Sequence, residues 1–220
     1  MRRIYLLTLF LTLAATFYPL VTYADGMQDD VNQAVAIIQR FQGIPERSIP
    51  AQVLRDARGL AVMTVVKAGF IFSGRGGSGV VVARTGKGWS GPSAIGTGGA
   101  GFGLQIGAQV TEFIFILNTP EAVRAFSQEG NLQLGADLSV AAGPIGRTAE
   151  AAVTPLAAVY TYSLSQGLFG GISLEGTVIG TRNEANAKYY GRYVTPEEIL
   201  SGKVKAPAGA RQLQKVLAGY

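Results

Sequence analysis

Between Gly59 and Leu117 the chain alternates β-branched and aromatic runs with glycine every few residues, and that texture leaves few folds open. The runs Leu60 to Val66, Ala68 to Ser73, Gly79 to Arg84, Phe102 to Gln109 and Thr111 to Leu117 read as strands. Gly74 to Gly79 and Thr85 to Gly88 read as turns between them, because glycine takes positive φ without a steric penalty. No helical pattern separates these runs, so a meander is predicted rather than a βαβ series. Further strands are expected around Leu132 to Ala141 and Gly171 to Gly180.

Helical signals lie mostly at the two ends. Val31, Ala34, Val35, Ile38 and Phe41 recur at helical spacing within Asp25 to Gln42, with Asp29 and Asp30 in the first turn and Gly43 and Pro45 as the stop. This amphipathic helix either packs on the domain or lies on a bilayer, and a polar face poor in lysine favours packing. A short helix is expected from Ala51 to Arg58, and Thr119 caps another that opens with Pro120 and runs to about Gln128. Asn183 and Thr195 read as caps of two more, and Ala210 to Leu217 as the last. The fold class is therefore α+β: a curved, largely antiparallel, glycine-rich sheet, barrel-like or sandwich-like, with N- and C-terminal helices.

Arg2 and Arg3 precede the apolar run Ile4 to Ala15, Pro19 breaks the segment beyond it, and Thr22, Tyr23 and Ala24 form a small-residue cleavage pattern. Residues 1–24 thus read as a secretory signal peptide, 25–45 as the N-terminal amphipathic helix and 46–220 as the main domain. The apolar core is shorter than the roughly 20 residues of a spanning helix. Two longer uncharged stretches, Gly88 to Thr111 and Ala151 to Leu174, are too rich in Gly, Ser, Thr and Gln to span lipid as helices. The expected location is a bacterial periplasm, soluble or peripherally membrane-associated. With no cysteine, the core must hold by packing alone.

Absence of histidine and cysteine removes Ser-His and Cys-His nucleophiles, imidazole acid-base chemistry and thiolate or imidazole metal sites. None of the 14 carboxylates sits in a recognisable catalytic motif, so the chain is expected not to be an enzyme and to need no cofactor. Gly74, Gly76, Gly79 and Gly96, Gly98, Gly101 each spell G-x-G-x-x-G, but both run into strand-like sequence and no acid appears until Glu112. A dinucleotide fingerprint needs a following helix and an acid about 20 residues on.

Charge is informative through its distribution. Without Arg2 and Arg3, 17 basic residues face 14 acidic ones, a mild excess that does not suggest nucleic acid. From Ala57 to Thr111, however, there is no acid, while Arg58, Lys67, Arg75, Arg84 and Lys87 fall inside with Trp89 close by. Cations on neighbouring hairpins attract phosphate head groups, and an indole suits the interfacial level. The opposing reading is a solvated rim neutralised on folding, with Arg75 paired to Asp137 or Glu175 and Trp89 in the core.

Several ordered blocks resemble the SYLF family, also called the Ysc84-like or actin-regulator lipid-binding domain. They are Lys67 to Phe70 with Ser73 to Arg75 and Gly77 to Gly79; Trp89 and Ser90 with Pro92 to Ile95; Gln105 to Ala108; Leu134 to Ala141 with Gly143, Pro144, Gly146 and Arg147; and Tyr162 and Ser163 with Gly167 to Phe169 and Ser173 to Gly176. The resemblance covers about Ile49 to Gly191 and implies a module that binds phosphoinositides and other anionic lipids at a membrane surface. In eukaryotic relatives it accompanies actin binding and SH3 modules. With a signal peptide and nothing read beyond the domain, the expectation is an exported, bacterial-type member, for which actin is a doubtful partner. Leu164 and Gln166 stand where relatives often carry basic residues. The function expected is non-catalytic binding of anionic phospholipid or phosphoinositide-like head groups through Lys67, Arg75, Arg84, Lys87 and Trp89. The alternative is an envelope structural or interaction protein that uses the same surface for a protein partner.

Overall fold

A computed structural model of the chain describes residues 26–45, 48–145, 157–167 and 177–220. The expected signal peptide lies outside the described residues, as does most of the expected strand Gly171 to Gly180. Helix α1 (Met27–Gln42) and helix α2 (Ala51–Asp56) precede two very long strands, β1 (Gly59–Thr85) and β3 (Ser93–Leu117), with the two-residue strand β2 (Gly88–Trp89) between them. Helix α3 (Pro120–Ser127) follows, then β4 (Asn131–Gln133), β5 (Val140–Ala142), β6 (Val159–Gly167) and β7 (Val178–Thr181). Helices α4 (Asn183–Tyr190), α5 (Pro196–Leu200) and α6 (Arg211–Leu217) complete the chain. Among the described residues the seven strands form one strongly curled, half-barrel sheet, antiparallel except for the β5–β6 pair, so the α+β class holds.

β1 and β3 pair along nearly their whole length, from Gly59↔Leu117 to Val81↔Ser93, with one slip between Phe70 and Phe72. This ribbon doubles back on itself. Arg84 N–H donates to the Arg58 carbonyl, and the backbone at Gly77 and Gly79 presses against Thr64 and Val62. A Cβ at Gly79 would lie 2.1 Å from the Val62 carbonyl oxygen, and one at Gly77 2.5 Å from that of Thr64. The stretch Gly74 to Gly79, expected as a turn, is thus the interior of a strand, and none of its glycines has positive φ. Its glycines serve close backbone approach instead. The second G-x-G-x-x-G match likewise lies within β3, where no helix begins.

The strands are apolar at successive positions because both faces are covered. Leu60, Val62, Val80, Val82, Ile114 and Ile116 pack beneath α1 and α6, whose Val31, Ile38, Phe41, Leu213 and Leu217 close that side. Their neighbours Ala61, Met63, Val81, Phe113 and Phe115 face the opposite layer, with Phe126 of α3 and Leu200 of α5. Helix α1 therefore packs on the domain, as its lysine-poor polar face suggests. Two polar anchors fix its orientation. Arg40 and Gln33 both donate to Glu112 Oε1, and the buried Asp30 accepts from Ser78 Oγ at 2.6 Å and Arg182 Nη1 at 2.5 Å. Burial raises the Asp30 carboxyl above its usual 3.8, against the pull of Ser78 and Arg182.

Caps expected from sequence appear at Thr119, whose Oγ1 accepts from Ala122 N–H, and at Thr195, which forms a reciprocal capping box with Glu198. Asn183 is instead the first residue of α4, and its side-chain amide donates to Glu129. The expected strand Leu132 to Ala141 divides into β4 and β5 around a Leu134↔Leu138 bridge, with Gly135 at positive φ. Among the described residues no helix is long and apolar enough to cross a membrane.

Candidate functional site

The turn between β1 and β2 lies at the closed end of the folded ribbon. Thr85 Oγ1 accepts from Lys87 N–H and donates to the Gly88 carbonyl, and Gly88 takes φ +107°, so Lys87 stands exposed at the apex. Arg84 beside it is engaged internally. Its Nε donates to the Ala57 carbonyl at 3.1 Å and its Nη2 to the Leu54 carbonyl at 3.0 Å, closing the end of α2. The same guanidinium lies 4.5 Å from the centre of the Trp89 ring. Trp89 is half-buried against the α1 layer, and its Nε1 donates to the Leu217 carbonyl at 3.0 Å. Both side chains therefore join three parts of the chain at this end.

Lys67 and Arg75 lie elsewhere. Lys67 pairs in register with Gln109, and Arg75 with Gly99, on the half of the ribbon away from the closed end. Both are half-buried, and a Cβ at Gly99 would sit 2.9 Å from Arg75 Nε, so the arginine side chain lies across the backbone at Gly99. At about 3.3 Å per residue, Arg75 is ~30 Å of strand from Arg84. The five residues singled out in the sequence thus divide into two groups. Of the acids offered as partners for Arg75, Asp137 is exposed and accepts from Gln133 N–H, while Glu175 lies outside the described residues.

Folding adds to Lys87 a set of cations that the sequence reading missed. After Glu198 the chain has no acid, and Lys203, Lys205, Arg211 and Lys215 are all exposed. This second acid-free stretch docks on the first. Gly202 packs on Thr85, Ala206 on Gly91, and Gln214 Nε2 donates to the carbonyls of Trp89 and Ser90. Arg58 is also exposed, next to the Ala57 carbonyl that Arg84 holds. The acids at this end are committed locally or stand at its margin: Glu198 is in the capping box, Asp56 accepts from Gln52, and Glu197 is exposed in α5. The missed signal was a charge run rather than a motif, namely basic residues without acids from Ile199 to Tyr220.

Such an end attracts anions through summed, exposed charge. Among the described residues no group of three or more Asp, Glu, His or Cys side chains gathers that could hold a metal ion. These features define a class, a mixed α+β domain built on a folded-over two-strand ribbon with a cationic end. Residues 98–220 match the family model Ysc84, described as "Las17-binding protein actin regulator". The chain is 53% identical over 177 residues to Protein YSC84 of Saccharomyces cerevisiae, covering 78% of this chain and 38% of that protein. It is 51% identical over 177 residues to LAS seventeen-binding protein 3 of the same yeast, covering 78% and 39%. To the human SH3 domain-containing YSC84-like protein 1 it is 44% identical over 203 residues, covering 89% and 59%. The chain belongs to the Ysc84, or SYLF, family.

It spans about two fifths to three fifths of the length of these relatives. Two expectations change. The relatives are yeast and human proteins and give no support to an exported, bacterial-type member. Doubt about actin does not stand, because the family model is itself described as an actin regulator and a yeast relative is named for binding LAS seventeen. The family description and the name of one yeast relative are those of binding or regulatory proteins.

Proposed function

We propose that this domain binds, without catalysis, anionic phospholipid or phosphoinositide-like head groups at a membrane surface, and that the cationic end around Lys87 is the contact. One observation carries the reading: two acid-free stretches, separated in sequence by residues 112–198, are docked together so that Lys87, Lys203 and Lys205 are exposed around one end. Each lysine near an anionic bilayer contributes about 1 kcal/mol. Lys67 and Arg75 remain in the proposal as a second cationic group on the far half of the ribbon. The N-terminal reading belongs to the same proposal: residues 1–24 a secretory signal, 25–45 the helix that packs on the 46–220 domain, and a periplasmic or peripherally membrane-associated location.

A second reading has its own support. A yeast relative's name states that it binds LAS seventeen, and the family description is that of an actin regulator, so the same cationic end would serve an acidic protein partner of the actin-assembly machinery.

Replacing Lys87, Lys203 and Lys205 together by alanine is expected to weaken binding to phosphatidylserine-containing vesicles on the order of 100-fold, three increments of about 1 kcal/mol. All three are exposed, so the melting temperature should stay near the parent's. A folded triple variant that co-sediments as tightly as the parent excludes the cationic end as the lipid contact.

A further inference from the structure

The first turn of α1 and helix α4 belong to the same layer, and Gln28 and Tyr189 come together over Gly209. Gln28 Nε2 donates to the Gly209 carbonyl at 3.3 Å and to Asn32 Oδ1 at 2.9 Å, and a side chain on Gly209 would strike both Gln28 and Tyr189. Asn186 holds α4 to β3, accepting from Ala94 N–H and donating to Ser93 Oγ. Beside these fixed points α1 and α4 line a cavity of about 740 Å³, within the range of small-molecule sites. Met27, Ala185 and the Tyr189 ring give it apolar wall. Along α4 the polar groups divide by chemistry. The first turn brings acceptors, Asn183 Oδ1 and the exposed Glu184 carboxylate, and the last turn brings donors, the exposed Lys188 ammonium and the Tyr189 hydroxyl. Burial raises Tyr189 above its usual 10, so the hydroxyl keeps its proton at neutral pH. Among the described residues Asn183 Oδ1 and Tyr189 Oη are buried without a hydrogen-bond partner, and Glu184 and Lys188 make no ion pair. Arg182, also at the cavity, is already matched by Asp30.

We propose that this cavity binds a short zwitterionic peptide, its α-ammonium at Glu184 and Asn183 and its carboxylate at Lys188 and Tyr189. The charges select the class of ligand. A lone anion meets Glu184 as well as Lys188, and a lone cation meets Lys188 as well as Glu184, so a molecule that carries both charges is favoured. The spacing selects its length. Four to six residues of helix separate the acceptors from the donors, about 6–9 Å at a rise of about 1.5 Å per residue. Two extended residues span about 7 Å, whereas the charges of a single amino acid flank one carbon and do not reach both turns. The peptide's side chains lie against Met27, Ala185 and the Tyr189 ring. Asn183 turns its amide toward the ammonium at little cost, because that torsion is broad, and a buried polar atom that gains a partner is stabilised. The inference goes beyond the lipid reading, and the site shares no residue with Lys87, Lys203 and Lys205.

The test titrates the full chain with leucyl-leucine by isothermal calorimetry, beside N-acetyl-leucyl-leucine, leucyl-leucine amide and free leucine. The dipeptide should bind saturably, and each capped form and free leucine about ten-fold more weakly, the loss of one charge-assisted hydrogen bond. Glu184→Gln and Lys188→Met should each weaken leucyl-leucine binding by about the same ten-fold. Both residues are exposed, so the melting temperatures should stay near the parent's. Lys188→Met should also lose the discrimination against the amide, which a general loss of packing would not produce. A folded parent that shows no saturation at millimolar leucyl-leucine overturns the proposal. So does equal binding of the charged and capped peptides, or leucyl-leucine binding that both variants retain unchanged. None of these outcomes bears on vesicle binding.

Discussion

Gly79→Ala is expected to abolish cooperative unfolding or to cost more than about 4 kcal/mol, although it adds a single methyl group. The added carbon would sit 2.1 Å from the Val62 carbonyl oxygen and 2.6 Å from Met63 Cα. These are backbone atoms of the same strand, which also pairs with β3, so relief requires the ribbon to open. Val80 and Val82 would lose their place beside Leu60 and Val62 in the layer under α1. Gly74→Ala is the matched control. Nothing lies within 4 Å of its would-be Cβ and its φ is not positive, so its melting temperature should stay close to the parent's. Equal effects of the two substitutions in thermal or urea unfolding would contradict the doubled-back ribbon.

Arg182→Met is expected to destabilise by about 3–5 kcal/mol near neutral pH, the usual cost of removing one partner of a buried ion pair. Its Nη1 donates to Asp30 Oδ2, and the Asp30 side chain is only 3% exposed. Arg182 also spans the sheet and α4, since its N–H donates to the Ala94 carbonyl and its side chain lies against Gly96. The pH dependence has a definite sign. Burial raises Asp30 above its unfolded value near 3.8, so its contribution to stability is fully present below that value and is lost as the pH rises through the folded one. Removing Arg182 takes away a charge that lowers the folded value, so the loss extends to higher pH in the variant. The variant's deficit should therefore shrink as the pH falls toward 4, measured by urea midpoints. A deficit independent of pH would mean that the loss is packing alone.

The helices were legible in the sequence because their signals are local. The spacing of Val31, Ala34, Val35, Ile38 and Phe41 and the caps at Thr119 and Thr195 each act within a few residues. The sheet was legible in class but not in path. Glycine marks both turns and close backbone approaches, and what distinguishes them at Gly77 and Gly79 is contact with Thr64 and Val62, more than ten residues away. The cationic end shows the same limit. Arg84 and Trp89 are held by the backbone carbonyls of Leu54, Ala57 and Leu217, partners that no side-chain pattern reveals. Lys203 and Lys205 join Lys87 only because the C-terminal segment docks on the β1–β2 turn. Their basic run was readable, but its neighbour was not.

Co-sedimentation of the full chain with vesicles of matched size, neutral or containing phosphatidylserine, at low and at physiological salt tests the central claim most directly. The account predicts binding to the anionic vesicles, weakening as salt rises because exposed charges are screened within about 8 Å at physiological ionic strength, and little binding to neutral ones. Equal binding to neutral and anionic vesicles at both salt concentrations, or none to either by a folded protein, would contradict it.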